Sequence, residues 1–108
     1  REEAAEQAHS IIERGVEEFR KQVKSLNAVN TLKAFRKKAE SIRTLELDKA
    51  RKAILKGEDV QAIVENMARN LTSKLIHSPS VRMKRASAEG REELLKLVQE
   101  LFELDEDE

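Results

Sequence analysis

The side chains here that could do ligand or acid-base chemistry are two histidines, His9 and His77, and many carboxylates and cations. The histidines stand 68 positions apart, too far to share a turn of helix, and without a cysteine there is no thiolate ligand or thiol nucleophile. His9, between Ala8 and Ser10, reads as a solvated side chain, and His77 as a residue closing a helix end. The pairs Glu17-Glu18 and Glu92-Glu93 fall on polar faces with nothing to desolvate them and raise a pKa. Glycines at 15, 57 and 90 are too scattered for a phosphate-cradling loop. We therefore expect no catalytic, cofactor-binding or metal-binding residue in this chain.

Cations offer more. Lys33, Arg36 and Lys37, with Lys38 and Arg43 beside them, form one basic block, and Arg82, Lys84 and Arg85 form another. Either could meet phosphates, and the six residues Lys33, Arg36, Lys37, Arg82, Lys84 and Arg85 are the candidate polyanion contacts. Base stacking has no support, because Trp and Tyr are absent and Phe19, Phe35 and Phe102 all sit on apolar stripes. Any nucleic-acid contact would go to the backbone and weaken with salt. A salt-bridged protein face accounts equally well for the same charges.

Lys and Arg total 21 and so do Asp and Glu, which argues against a uniformly basic nucleic-acid binder. The charge is nevertheless blocked. Residues 1–19 carry 2 basic and 6 acidic groups, residues 20–56 carry 12 and 3, and residues 92–108 carry 1 and 8. Such blocks are the ordinary signature of solvated helix faces and tails.

These side chains must be positioned by helices. Charged residues make up 39% of the chain and proline occurs once, which suits packed amphipathic helices. Ala4, Ala8, Ile12, Val16, Phe19, Val23 and Leu26 recur every three or four residues and predict a first helix of about 25 residues. Gly15 within it marks a close approach or a gentle bend. Asn27 and Asn30 offer end-cap chemistry, and a second helix runs through Val29, Leu32, Phe35, Ala39, Ile42, Ala50 and Ile54 to a stop at Gly57. Asp59 is placed to cap a third, carrying Val60, Ile63, Val64, Met67, Leu71 and Leu75 and ending at His77. Ser78-Pro79 restarts the chain as a short fourth helix to Glu89, closed by Gly90. A fifth runs from Leu94 to Leu104, before an acidic end at 105–108 expected to be disordered. No strand pattern appears.

The expected architecture is thus all-α, about five helices with a long first one, divided into a linker helix over 1–26, a helical domain over 27–104 and the tail. A helix of about 25 residues is a rod of roughly 38 Å, whereas a globule of this chain length is about 34 Å across. The first stripe then needs cover from outside, and a homodimer is the expected source. Leu71, Leu75, Ile76, Leu94, Leu97, Val98, Leu101 and Phe102 are the candidate anchors, as intra-chain core or as dimer seam. No apolar run approaches the roughly 18 residues of a membrane span, so a soluble protein is expected, and the lack of cysteine is compatible with a reducing compartment. The chain opens at Arg1, already inside the amphipathic pattern, as a piece of something longer would.

Several stretches carry a resemblance. KAFRKKAESIRTLELDKA at 33–50, KGEDVQAIVENMARNLTSKLIHSPSV at 56–81 and ELLKLVQELFEL at 93–104 resemble the C-terminal dimerization domain of glutamyl-tRNA reductases, with the phrase Leu75-Ile76-His77 before a small residue and Pro79 the most specific part. The opening, Glu2 to Phe19, is similar to the end of the long spinal helix that joins this domain to the catalytic and NADPH domains of the family. Two positions depart: Gln22 stands where many members have Trp, and Asn30 where many have proline, which leaves the joint between the first two helices less defined and open to a continuous helix.

The resemblance implies an NADPH-dependent oxidoreductase of porphyrin and tetrapyrrole biosynthesis. Such an enzyme reduces glutamyl-tRNA to glutamate 1-semialdehyde through a thioester on a cysteine of an N-terminal domain. That cysteine and a dinucleotide loop lie outside these 108 residues, so no catalytic or cofactor residue of the family maps onto this chain. It further implies a V-shaped homodimer held by these helices, a cytoplasmic location or a plastid in photosynthetic eukaryotes, and room for a protein partner on the helical domain. A free-standing adaptor gripping a partner helix and a tRNA-backbone binder are the alternatives.

Overall fold

A computed structural model describes residues 1–105 and contains three helices, α1 Glu2–Leu55, α2 Val60–Ala88 and α3 Glu92–Leu101, with no strand among the described residues. The all-α expectation holds, and the count of five helices is corrected to three. Two expected breaks are absent. At Asn27–Asn30 neither proline nor glycine interrupts the ladder, and Thr31 Oγ1 donates to the Asn27 carbonyl at 2.9 Å, an interaction helices tolerate on their surface. At Ser78-Pro79 the proline lies inside α2. Proline removes one donor and crowds the preceding turn, an interior penalty of about 3 kcal/mol, but Met67, Leu71 and Lys74 before it and Met83 and Ala86 after it are all half-buried or buried, so burial keeps both halves helical. His77 is accordingly an interior residue of α2 rather than a helix end.

The true ends have local causes. Gly57 adopts φ 78°, its N–H donates to the Ile54 carbonyl at 3.0 Å, and the Glu58 N–H donates to Ala53 at 3.1 Å, which is the paired-bond helix stop that a left-handed residue permits. Gly90, at φ 72°, ends α2 in the same way, with Arg91 N–H donating to Ala86 at 2.8 Å. Asp59 caps α2 as expected, its carboxylate accepting from the Ala62 N–H at 3.1 Å. α3 stops at Leu101, short of the expected Leu104, where Glu103 turns left-handed at φ 52°. Gly15 makes no close approach, since a Cβ there would meet nothing within 4 Å. Of the expected acidic tail, residues 106–108 lie outside the described residues.

The chain divides into two compact units, Arg1–Glu40 and a second from Ser41 onward. Unit 1 is the first part of α1, in which only Ser10 and Ala39 are as much as half-buried. Unit 2 contains the remainder of α1 together with α2 and α3, and its core is built on Ala50, Ile63 and Ala86 with one buried carboxylate, Glu46.

Candidate functional site

The candidate anchors divide by exposure. Leu71, Leu94 and Val98 are half-buried within unit 2. Leu75, Ile76 and Phe102 are exposed, as are Leu97 at 59% and Leu101 at 76%, so the single chain does not use them as core. The arrangement on α3 reflects the helical period: Leu94, Leu95 and Val98 turn toward unit 2, while Leu97 and Leu101, one turn apart, share the outward face.

In unit 1 the large apolar side chains of the stripe are exposed. Ile12, Phe19, Val23 and Leu26 are exposed, as are Leu32 and Phe35. Val29, Leu32, Phe35 and Ala39 line a shallow concavity edged by Lys33 and Arg36. Those two candidate cations are therefore brought to an apolar surface. Lys37, the third of that block, does not line it. On α2, Arg82 and Arg85 join His77, Ser78 and Val81 around a hollow of about 160 Å³, from which Lys84 is left out. His9, expected to be solvated, is exposed and sits with Nε2 2.9 Å from Glu13 Oε1.

One cluster was not anticipated. Glu46 is buried in unit 2 and its Oε2 accepts from Lys74 Nζ at 2.5 Å and from Lys49 Nζ at 3.2 Å. The Lys74 ammonium pulls the Glu46 carboxyl down from an ordinary 4.5 to about 2, against the opposing effect of desolvation, and Lys49 and Asn70 act with Lys74. Glu46 in turn raises Lys74. The signal was legible, because Glu46 occupies a stripe position four residues after Ile42 and four before Ala50, where an apolar side chain would be ordinary. A cleft of about 180 Å³ beside it is lined by Lys49, Ala50, Ile63, Met67 and Asn70 among others. The geometry is that of a pin between α1 and α2: the buried Glu46 carboxylate on α1 is held by Lys74 of α2 and by Lys49, whose side chains remain partly exposed.

Among the described residues no group of three or more His, Cys, Asp or Glu could hold a metal ion, and no helix is long and apolar enough to cross a membrane. What the geometry offers is surface: two apolar faces edged by opposite charges and a basic hollow.

The chain's similarities fit surfaces of that kind. The family model described as glutamyl-tRNAGlu reductase, dimerisation domain, matches residues 7–104. A glutamyl-tRNA reductase from Marinobacter nauticus is 45% identical over 105 residues, covering 97% of this chain and 24% of the relative. The Pseudomonas aeruginosa glutamyl-tRNA reductase is 46% identical over 106 residues, 98% of this chain and 25% of the relative. The chain thus spans about a quarter of the length of the curated relatives it matches. No solved structure matches it. An all-helical chain whose unit 1 leaves its apolar stripe bare, matched over residues 7–104 by this one domain, belongs to the glutamyl-tRNA reductase dimerisation-domain family.

Proposed function

We propose that this chain joins two copies of a glutamyl-tRNA reductase through its exposed apolar faces, and that its role is mechanical rather than chemical. The whole protein would be an NADPH-dependent oxidoreductase that reduces glutamyl-tRNA to glutamate 1-semialdehyde for tetrapyrrole synthesis in the cytoplasm. Its catalytic and cofactor groups belong to domains outside these 108 residues. A dinucleotide does not fit the residues here: Gly15 lies within α1, and Gly57 and Gly90 are isolated helix stops with no run of backbone amides to cradle a pyrophosphate.

The observation that carries this reading is the bare stripe of unit 1, from Ile12 to Phe35, on a chain matched by a dimerisation-domain family. Contiguous exposed apolar surface marks an interaction site. Sedimentation equilibrium tests it directly. The expected mass is twice the 12.4 kDa of one chain, falling toward the monomer on dilution. A mass of one chain at every concentration overturns it.

A second reading concerns tRNA. Arg82 and Arg85 beside His77 form a hollow suited to a backbone phosphate, which would give the dimer a contact with its substrate away from the reacting end. Filter binding of glutamyl-tRNA by the chain should then weaken steeply between about 50 and 200 mM salt, and Arg82→Ala with Arg85→Ala should flatten that dependence. No retention at the lower salt removes this reading.

A further inference from the structure

Among the apolar side chains that unit 2 leaves exposed, Leu97 and Leu101 form a ridge on α3. Leu97 and Leu101 point outward on α3, and helical spacing puts Glu93 one turn before Leu97 and Glu100 between the two leucines on the same face. Glu93 lies 3.6 Å from Arg91, a long and exposed contact that leaves its carboxylate available. The ridge is apolar with acidic edges, and residues 92–105 as a whole carry five acidic groups against one basic.

Unit 1 carries the opposite surface. Leu32 is 67% exposed and Phe35 61%, and with Val29 and Ala39 they line a concavity of about 480 Å³. Lys33 and Arg36 stand at its edge, and neither has an ion-pair partner among the described residues. Residues 20–40 carry seven basic groups against one acidic. Both surfaces are apolar at the centre, and the charges at their edges are opposite in sign.

We propose that α3 of one copy docks through Leu97 and Leu101 into the Val29–Ala39 concavity of a second copy, with Glu93 and Glu100 facing Lys33 and Arg36. This rests on the homodimer reading above and specifies which surfaces meet. A two-fold axis makes the contact twice, so two modest patches contribute to the roughly 1,200–2,000 Å² that stable pairs bury. The leucines and Phe35 supply the desolvated centre, and the charges select orientation and make association sensitive to salt.

Two experiments decide it, and the absence of cysteine in this chain makes the first clean. Arg36→Cys and Glu100→Cys chains of different tag length are mixed and oxidised. The expected product is an Arg36→Cys to Glu100→Cys mixed disulfide, formed in at least tenfold excess over what either chain gives alone. The second is a charge exchange with sedimentation as its readout. Lys33→Glu with Arg36→Glu should raise the dimer Kd at least tenfold, and mixing with Glu93→Lys, Glu100→Lys chains should restore pairing, because the mixed dimer has one charge-exchanged contact and one wild-type contact. A wild-type dimer that gives neither the mixed disulfide nor the rescue overturns this contact while leaving dimerisation standing. A wild-type chain that is monomeric at every concentration overturns both.

Discussion

Units 1 and 2 are written in the same alphabet and end in opposite states. Both show apolar residues every three or four positions and both are helical, yet unit 1 buries nothing while unit 2 closes over Ala50, Ile63 and Ala86. The difference lies in whether the chain doubles back. Unit 2 contains the Gly57 stop and the Asp59 cap, so α2 turns back and gives the end of α1 a face to meet. Unit 1 is a single helix with no returning element of its own. Periodicity states that a face wants cover. It does not state whether the cover comes from the same molecule.

The sharpest way to break this comparison is to truncate one large side chain in each unit. Ile63→Ala should cost about 2–5 kcal/mol in urea unfolding, because the cavity it leaves in unit 2 cannot fully collapse. Phe19→Ala, at a site 66% exposed, should change the same measurement by less than about 0.5 kcal/mol at protein concentrations low enough to keep the chain monomeric. Equal losses would mean that unit 1 has intra-chain cover after all.

Next comes acid. Glu46 is held near 2, below its ordinary 4.5, so its share of stability is complete above pH 4.5 and is lost as the pH falls toward 2. Lys74 is raised, so its share is present below its ordinary 10.5 and is lost as the pH climbs through its higher folded value. Wild-type stability should thus be level between these limits. Glu46→Gln should be less stable at pH 6 and lose less on going to pH 3. If the two chains show the same acid profile in urea titrations, the pin carries no weight.

The smallest effects have opposite signs in the two units. Gly57→Ala forces a Cβ into a left-handed turn at φ 78° and should destabilise unit 2 by about 1–2 kcal/mol. Gly15→Ala fills open space on a helix and should stabilise unit 1 by roughly 0.5–1 kcal/mol, read as a gain in helical circular dichroism at 222 nm. A loss at Gly15 would reveal a close neighbour from outside this chain.

Much of the fold was legible in particular residues. Asp59, Gly57 and Gly90 act through bonds to their immediate neighbours, so their positions could be read directly. Asn27–Asn30 and Ser78-Pro79 carry the residues of a break without making one, because cap-forming residues only permit a boundary. The helix continues where no competing turn is fixed, as at Asn30, or where flanking side chains are held in a core, as around Pro79. Of the candidate surface, the charges of Lys33, Arg36, Arg82 and Arg85 were visible in the chain, but their grouping with Phe35 and His77 was not.

Taken alone, the order of residues determined the helical class, the stops at Gly57 and Gly90, the Asp59 cap, the charge blocks and the absence of any cysteine, since each depends on composition or on neighbours within about four positions. Only the tertiary structure decided that Glu46 meets Lys74, 28 positions away, and that Leu97 and Leu101 face outward while Leu94 and Val98 do not. Those outcomes depend on how α2 returns along the end of α1 and where α3 settles on α2. Such long-range closure is set by the summed burial of many side chains, and no local pattern encodes it.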